Sequence, residues 1–528
     1  MADPHTGIRP CVPRRTVLAG ATVGVGAATL SGAVPGLAQA QPPRAPLADP
    51  FTVGVASGDP SSEGMVLWTR LAPDPLAADG LGGMPSRPVK VEWELADDER
   101  FARVARRGRV SAVPESAHSV HVELAGLAPG REYFYRFRAE GHLSPAGRTR
   151  TTPPPSAMAP LTMCFASCSH YPSGLFTAYR AIAADDPDLV LHLGDYQYEG
   201  PSGPGAVRQT AGPETATLAG YRQRHAQYKT DPDLQAAQAA APWLGVWDDH
   251  ELDNNWADET PQDPALQSPE EFLARRAAAL QAYYENMPLR RASVPRGIDM
   301  RLYRRIGWGR LATFHMMDTR QYRDDQACGD GNRTGCEQRL DPSRTLTGTE
   351  QEAWLLDGFR RSSTRWDVLG QQVFFAQRDL DAGPVRSYSM DAWDGYAASR
   401  DRITRGWVDS PVRNAVVLTG DVHRHWAAEL KLDYADPEGR TVGTELVTTS
   451  ITSFDDGNGD GPEDNPVVAE NPHIKFYANR RGYVRTRFTP AELRADFRVV
   501  QAVTTPAAPV STRASFVIPD RDPGLNPA

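Results

Sequence analysis

The chain of 528 residues has a net charge of −9, and 40% of its residues are hydrophobic. This length is sufficient for two or more domains with cores of their own. Beyond the extreme N-terminus there is no long run of Lys and Arg, so the sequence gives no reason to expect a nucleic-acid-binding surface.

The N-terminus, residues 1–40, predicts an export signal. Arg14 and Arg15 precede an apolar stretch rich in glycine and alanine, which ends at the small-residue triplet 38–40. This layout is typical of a twin-arginine signal peptide cleaved near Ala40, and the stretch is too weakly hydrophobic for a membrane span. Because twin-arginine export carries folded proteins, often with a cofactor inserted, the signal predicts a metal site in the mature chain.

Residues 51–152 predict a small, fibronectin-like β-sandwich. Its strands are expected in the alternating stretches "MVLWTRLAP", "VKVEWELA", "HSVHVELAGLAPGREYFYRFRAEG" and "PAGRTRTTP". In the third stretch, Val120, Val122 and Leu124 alternate with polar neighbours. The Pro-rich segment 151–160 then predicts a linker between domains.

Residues 158–519 predict one α/β domain. "LTMCFASC" and "PDLVLHLGD" have the length of buried strands, and "GLFTAYRAIAADD" between them has helical spacing. This order predicts parallel strands with functional groups at their carboxyl ends. Further strands are predicted in "WLGVWDDHE", "LATFHMMDTR", "WDVLGQQVFF" and "NAVVLTGDVHRH", whereas the tail after Ala491 is predicted as strand and loop.

The mature chain contains four cysteines, which export would place in an oxidising compartment. Cys328 and Cys336 close the short Gly-rich loop "CGDGNRTGC" and are the favoured disulfide pair. Cys164 and Cys168 would then be unpaired, although the number of cysteines also permits a disulfide between them. The sequence leaves this alternative open.

Candidate metal ligands follow four of the predicted strands. They are Cys168, then Asp195, then Asp249 with His250, and finally Asp421 with His423. A single acid after a strand is usually solvated, but we expect these four strand ends to converge in one parallel sheet. The joint pattern therefore predicts a metal centre.

Several motifs occur in the order found in one known family: "FASC", "HLGDYQYEG", "WDDHELDNNWAD", "MMDTRQYRDDQACGD", "LGQQVFF", "MDAWDGYAASRDR" and "LTGDVHRHW". The series resembles the alkaline phosphatase D (PhoD-like) family, from "GVASGDP" at Gly54 to "LVTTSITS" ending at Ser453. The resemblance implies a metallophosphoesterase α/β/β/α sandwich after the small β-sandwich domain. It also implies a site similar to that of purple acid phosphatases, with one ferric ion and calcium.

The resemblance implies an iron site built from a thiolate, a carboxylate and a phenolate. Cys168 stands where ordinary metallophosphatases begin with Asp-x-His, and its anionic, soft thiolate suits a transition metal. Asp195 is the expected bridge, because a carboxylate can give one oxygen to each of two ions. Tyr198 would bind the same iron, whereas Tyr196 is expected to point to the other face and to pack.

The resemblance also implies a calcium ligand in "WDDHE". Asp249 aligns with an amide ligand of the wider superfamily, and a carboxylate there favours a hard, oxygen-preferring ion such as calcium. Asp248 would be the ligand instead if the register shifts by one. His250 resembles the histidine that faces the substrate, where it would protonate the leaving oxygen or hold the phosphoryl group.

In the last motif, Asp421 replaces the first histidine of the usual Gly-His-x-His. Asp421 is therefore expected to bind calcium and His423 to bind iron. His425 and Trp426 do not fit that register and are assigned to support or packing around the site.

Two weaker signals complete the candidate residues. Arg320 and Arg323 in "MDTRQYR" could contact phosphate or form surface ion pairs, and Arg320 is the predicted substrate contact. The acidic segment 455–464 begins like a calcium loop, but Val467 stands where an EF-hand supplies its bidentate glutamate. We expect an acidic surface loop at the rim of the site.

These features predict a secreted, periplasmic or cell-envelope phosphoesterase that hydrolyses phosphomonoesters, phosphodiesters or both with a metal-activated water. A phospholipase D-type phosphodiesterase is one alternative, and a non-catalytic calcium-binding cell-envelope protein is another. Expected partners are small phosphate esters, phospholipid or teichoic-type phosphodiesters and the twin-arginine export machinery. No transmembrane span is expected in the mature chain.

Overall fold

The computed structural model describes residues 47–459 and 461–528, without the side chain of Pro462. The predicted signal, residues 1–40, lies outside the described residues. The first part of the described chain contains only short strands and one 3₁₀ turn. The strands are β1 (Val55–Ser61), β2 (Gly64–Arg70), β3 (Val89–Ala96), β4 (Val104–Ala112), β5 (Ser119–Glu123), β6 (Glu132–Ala139), β7 (His142–Leu143) and β8 (Gly147–Arg150).

The second part alternates strands with helices. Its strands are β9 (Leu161–Ala166), β10 (Leu189–Leu193), β11 (Pro242–Val246), β12 (Arg304–Trp308), β13 (Ala312–Met316), β14 (Asn332–Thr334), β15 (Trp366–Gly370), β16 (Ser387–Ser389), β17 (Ala415–Thr419), β18 (His425–Lys431), β19 (Thr441–Val447), β20 (Ile474–Ala478), β21 (Gly482–Phe488), β22 (Glu492–Val500), β23 (Val510–Pro519) and β24 (Asn526–Pro527). Its helices are α1 (Thr177–Ala184), α2 (Leu218–Lys229), α3 (Pro232–Ala240), α4 (Pro269–Asn286), α5 (Gly348–Arg360), α6 (Ala397–Val408) and α7 (Val467–Glu470).

Two mixed sheets form the centre of the fold. The ten-stranded sheet has the order β24-β23-β22-β21-β9-β10-β11-β1-β2-β5, and the seven-stranded sheet has the order β12-β13-β15-β17-β19-β18-β20. One apolar cluster joins them, since Phe165 and Leu191 of the first sheet belong to the same core as Val368 and Leu418 of the second. The sheets therefore pack face to face and bury their inner surfaces against each other.

Helices cover the outer faces of both sheets. Helices α1 and α3 contact strands of the ten-stranded sheet. On the other side, Leu355 and Phe359 of α5 and Ile403 and Trp407 of α6 pack in a core shared with β15 and β17. The predicted α/β/β/α sandwich is confirmed.

The strands that precede the candidate ligands are confirmed, but their expected convergence in one sheet is wrong. Strands β9, β10 and β11 pair in parallel in the ten-stranded sheet, and Cys168, Asp195 and Asp249 follow them. Strand β17, which precedes Asp421 and His423, pairs in parallel with β15 and β19 in the other sheet. The ligands meet because the carboxyl ends of both sheets lie at the same edge of the sandwich.

The N-terminal strands divide between two sheets. Strands β3, β4, β6, β7 and β8 form a separate five-stranded sheet, and β1, β2 and β5 extend the ten-stranded sheet. Strand β1 pairs in parallel with β11, through Ser57 opposite Pro242. Hydrogen bonding thus continues across the predicted linker, and residues 47–528 form one compact unit. The division at 51–152 and 158–519 stays a prediction.

The predicted disulfide is present between Cys328 and Cys336, which are separated by eight positions, and Cys164 and Cys168 are free and buried.

Replacing both bonded cysteines with serine is expected to lower the free energy of unfolding by about 2–3 kcal/mol, because the open loop gains entropy in the unfolded chain. Urea unfolding with and without a reductant measures this. The reductant should destabilise the wild-type protein and leave the double serine variant unaffected; equal responses would contradict the prediction.

Candidate active site

Left-handed backbone turns follow the strands that precede the candidate ligands. Cys168, Asp195, Asp421 and His423 have φ angles of 63°, 54°, 62° and 56°. Residues with side chains adopt this conformation rarely, and such strain persists only where the surroundings impose it, often at functional sites. The neighbouring turns are joined by hydrogen bonds, because the amide of Cys168 donates to Gly194 O at 3.1 Å.

Glycines allow these turns to approach each other closely. A Cβ atom on Gly194 would lie 2.4 Å from the Cβ of Asp248, and one on Gly420 would lie 2.7 Å from Ser167 Oγ. Gly194 also has a φ of +100°, which side chains rarely permit. The Gly-Asp pairs of the sequence therefore reflect a requirement for close backbone packing directly before the acids.

A first donor cluster combines residues from both sheets. One donor atom each from Cys168, Asp195 and His423 lies within 4.8 Å of the others. The Tyr198 hydroxyl joins them, with its oxygen 2.9 Å from Asp195 Oδ2, 3.1 Å from His423 Nε2 and 2.7 Å from Ser453 Oγ. Thiol, carboxyl, phenol and imidazole groups thus meet at one buried point.

Tyr196 is turned away from this cluster. Its hydroxyl accepts a hydrogen bond from Gln238 Nε2 at 3.1 Å, and its ring packs near His192 and His225. The expectation that Tyr196 packs on the other face is confirmed.

A second donor cluster lies beside the first. Asp248, Asp249 and Asp421 place one carboxylate oxygen each within 4.8 Å of the others, and Asp195, Asp249 and His250 form an overlapping group. The buried atoms Asp248 Oδ2 and Asp249 Oδ1 have no hydrogen-bond partner among the described residues. Buried carboxylate oxygens without partners are costly unless a cation binds them, so the arrangement fits a hard metal ion. Both Asp248 and Asp249 stay candidates for the predicted calcium ligand.

Burial raises the pKa values of Asp195 and Asp421, whereas the charges of Arg320 and His250 lower that of Asp249. The pKa of Asp195 rises to about 7 through burial and the nearby Asp249. The pKa of Asp421 rises to about 8 through burial, Asp391 and Asp249. Burial and the Asp195 charge likewise raise the pKa values of the Cys168 thiol and the Tyr198 phenol well above their ordinary values. A cluster of this kind favours cations, because a bound cation lowers the cost of deprotonating all four groups.

Arg320 is buried beside the second donor cluster. Its side chain is fully buried, and Nε donates to Asp248 Oδ1 at 2.6 Å while Nη1 donates to Asp391 Oδ1 at 2.8 Å. Its Nη2 atom lies 3.7 Å from Asp249 and 4.0 Å from Asp421. Arg320 is thus a fixed cation beside these carboxylates, and its contact with the substrate stays a prediction. Arg323 is similarly buried against Tyr396 and Asp391.

His250 is held by a carboxylate that the sequence analysis missed. Its Nδ1 atom lies 2.8 Å from Glu199 Oε2, and its ring lies 4.2 Å from the ring of Tyr198. Burial alone would lower the pKa of His250, but Glu199, Asp249 and Asp195 raise it well above its ordinary value. The signal was present in "GDYQYEG", where Glu199 follows Asp195 by four positions.

A cavity of about 730 Å³ opens beside His423. The acidic loop contributes Asp455, Asp456 and Asn458 to its wall. Phe454 is 59% exposed, and its ring centre lies 4.9 Å from that of His423. The other predicted supporting residues, His425 and Trp426, are buried.

If the chain has the predicted phosphoesterase activity, replacing Glu199 with glutamine is expected to lower its kcat by about 10- to 100-fold, as is typical when a carboxylate that orients a functional histidine is removed. The loss of the charge also lowers the pKa of His250, so the alkaline limb of the pH profile should move to lower pH. Glu214→Gln is the matched control, because it removes an exposed carboxylate paired with Arg275. Unchanged kcat and pH limits in Glu199→Gln would contradict the assignment.

Within the part of the chain that the structure describes, no helix is both long and apolar enough to cross a membrane.

Comparisons with known proteins agree with this geometry. The chain is 50% identical to alkaline phosphatase D of Bacillus subtilis (strain 168) over 482 residues, which cover 90% of this chain and 82% of that protein. A solved structure described as PhoD superposes with a TM-score of 0.88 at 49% identity, covering 91% of this chain and 92% of that chain.

The fold extends to a more distant structure. A purple acid phosphatase from yellow lupin (Lupinus luteus) seeds aligns with 88% of this chain and 73% of its own, with a TM-score of 0.51 at 14% identity, which indicates a shared fold. Family models match residues 36–153 as the PhoD-like phosphatase N-terminal domain and residues 163–497 as PhoD-like phosphatase. The chain therefore belongs to the PhoD-like phosphatase family and is a hydrolase of phosphoric ester bonds.

Proposed function

We propose that the chain is an exported phosphoesterase that uses one ferric ion together with calcium. Cys168, Asp195, Tyr198 and His423 would hold the iron. Asp249 and Asp421 would hold calcium, and Asp195 would bridge the ions. The observation that carries the proposal is the overlap of the donor clusters, since Asp195 and Asp249 each belong to two of them.

The donor types support this division between two kinds of ion. Thiolate, phenolate and imidazole groups favour a transition metal, whereas a group formed only by carboxylates favours a hard cation such as calcium. When bound, the ions would orient the phosphate, offset its negative charge and lower the pKa of a water molecule. Arg320 would hold Asp248 and Asp249 in place from behind, where it forms their nearest fixed positive charge.

His250 would act on the leaving oxygen. The Glu199 contact fixes Nδ1, and Nε2 has no hydrogen-bond partner among the described residues. With a raised pKa, the imidazole would be protonated near neutral pH and could donate a proton to the alcohol oxygen as the ester bond breaks. The carboxylate of Glu199 would fix the ring orientation during this transfer.

The proposed substrates are phosphomonoesters, phosphodiesters or both. A phospholipase D-type phosphodiesterase activity stays an alternative within this family. Twin-arginine export to the periplasm, cell envelope or medium rests on Arg14 and Arg15 in the N-terminal sequence. The rival hypothesis of a non-catalytic calcium-binding protein is disfavoured, because the chain retains all the predicted ligand residues.

A metal inventory combined with two assays tests the proposal. We expect about one iron per chain together with calcium, a visible absorption band from tyrosinate bound to iron, and hydrolysis of p-nitrophenyl phosphate or bis-p-nitrophenyl phosphate that requires calcium. Comparing the two rates distinguishes monoesterase from diesterase activity. A colourless, inactive protein that still binds calcium would support the non-catalytic alternative.

Substituting the two tyrosines separately tests the iron site. Tyr198→Phe is expected to weaken the visible band and lower activity, because it removes the only phenol oxygen within hydrogen-bond distance of Asp195 among the described residues. Tyr196→Phe is the matched control and should preserve the colour, since its hydroxyl contacts Gln238 instead. Visible spectra and iron content per folded chain measure both effects. Loss of colour only in Tyr196→Phe would contradict the assignment.

A further inference from the structure

A second cavity adjoins the one beside His423. Its volume is about 390 Å³, and its wall includes Arg378, Arg424, Trp426, Asn332, Ser389 and Asp464. Arg424 also lines the cavity that contains His423, so the two cavities are neighbours on either side of one side chain. A molecule at the donor clusters could therefore extend past Arg424 towards Arg378.

Arg378 is a nearly buried cation without an ion pair. It is 9% exposed, and its guanidinium group lies 4.3 Å from the ring centre of Phe374 and 5.3 Å from that of Trp426. Among the described residues, no carboxylate lies within 4.0 Å of its guanidinium group and no acceptor bonds to it. The neighbouring Asp394 accepts a hydrogen bond from the backbone amide of Arg378. The carboxylate of Asp394 forms its ion pair with Arg400, at 2.7 Å.

Arg424 supplies a second free cation at the mouth of the same cavity. Its side chain is exposed and has neither an ion pair nor a hydrogen bond with any residue that the structure describes. Asp464 also lines the cavity and accepts a hydrogen bond from the amide of Gly461 at 3.2 Å, so its carboxylate offsets part of the positive charge of the two arginines. The arginines thus provide two guanidinium groups for an incoming ligand.

A buried guanidinium group is costly to desolvate unless an anion compensates for its charge. Stacking on aromatic rings offsets part of that cost but leaves the planar N–H donors available. These donors match the geometry of phosphate and carboxylate groups, which arginine binds in a bidentate manner. The cavity therefore has the chemistry of an anion-binding site.

We propose that Arg378 and Arg424 bind a second anionic group of the substrate, a phosphate or carboxylate on the alcohol portion of the ester. This inference rests on the proposed function, because the donor clusters would hold the phosphate that is cleaved. The preferred substrate class is then a phosphate ester that carries a further negative charge. Trp426 supports the site by fixing the plane of the Arg378 guanidinium group.

Matched ester pairs test this inference on the metal-loaded protein. Glycerol 3-phosphate and 3-phosphoglycerate differ by one carboxylate, and fructose 6-phosphate and fructose 1,6-bisphosphate differ by one phosphate. We expect kcat/KM to favour the more anionic member of at least one pair by about tenfold, as charge-assisted hydrogen bonds usually provide. This preference should weaken as the salt concentration rises, because Arg424 is exposed.

The variants Arg424→Gln and Arg378→Met should each reduce this preference, and Arg378→Lys should restore part of it. Arg424→Gln is the main variant, because an exposed side chain can be changed without disturbing the core. Arg107→Gln on β4 is the matched control; it removes an exposed positive charge from the separate five-stranded sheet and should leave the preference unchanged.

The outcomes separate this inference from the proposed function. The second anion site is wrong if neither pair shows a preference, or if Arg424→Gln and Arg378→Met both retain it, while p-nitrophenyl phosphate is still hydrolysed. Failure of the metal-loaded protein to hydrolyse any of these esters would instead overturn the proposed function and, with it, the assignment of the second anion site.

Discussion

Asp195→Asn is expected to lower kcat/KM for phosphate esters by about 100- to 1,000-fold, the scale seen when a main charge-stabilising group is removed. Asp195 is the carboxylate that belongs both to the group with Cys168 and His423 and to the group with Asp249. An amide is neutral and can offer only one oxygen, so the change removes a charge from both proposed ion sites. Iron and calcium content should therefore fall together with activity.

The measurement pairs steady-state kinetics with metal analysis of the folded variant. Asp367→Asn is the matched control, because Asp367 is an equally buried carboxylate that contacts His315 and Ser362 instead of the donor clusters. It is expected to cost stability while leaving the metal content per folded chain unchanged. An Asp195→Asn protein that keeps both metals and full activity would contradict the bridging assignment.

Removal of the metal ions is expected to make stability fall as the pH rises from about 5 to about 8. The pKa of Asp195 is raised to about 7, and those of Asp421 and Glu251 to about 8, by burial and by neighbouring carboxylates. In the unfolded chain these groups have pKa values of about 4. Between these limits the folded metal-free protein binds more protons than the unfolded chain, so these groups together make the free energy of unfolding fall as the pH rises.

Bound cations should reverse this dependence, since they favour the deprotonated carboxylates. Urea unfolding at several pH values, with and without a chelator, measures both slopes. Glu251→Gln should make the metal-free slope shallower, because Glu251 is buried and accepts hydrogen bonds from the amides of Asp195, Tyr196 and Asp248. Parallel slopes with and without the chelator would contradict the cation-binding role of this region.

Local patterns were sufficient to predict much of the site. Each of Cys168, Asp195, Asp249 and Asp421 follows an apolar run of strand length, and parallel strands present such residues at their carboxyl ends. The separation of Tyr196 from Tyr198 did not follow from strand alternation, since residues two positions apart share a face in an extended segment. It depends on the irregular turn that follows β10, which ends at Leu193. The short loop between Cys328 and Cys336, in contrast, identified the disulfide.

Local patterns did not predict contacts between side chains that are distant in sequence. Arg320 was predicted to contact the substrate, but the sequence did not indicate its hydrogen bonds to Asp248 and Asp391, which lie 72 and 71 positions away in the chain. Glu199 is a short distance from Asp195 in sequence, yet its role depends on His250, 51 positions away. No local periodicity specifies which of several nearby charges will become partners.

The sequence by itself determined the strands, the turns after them and the chemical types of the donors, because these depend on hydrophobic spacing, glycine and side-chain chemistry within short segments. The tertiary structure alone decided that β17 lies in a different sheet from β9, β10 and β11, and that β1 extends the sheet beside β11. Face-to-face packing of the sheets brings His423 to Asp195 and Tyr198. This packing buries the carboxyl groups of the donor clusters, and their burial shifts their pKa values and favours the binding of a cation. Burial is a property of the packed molecule, so no short segment of sequence specifies it.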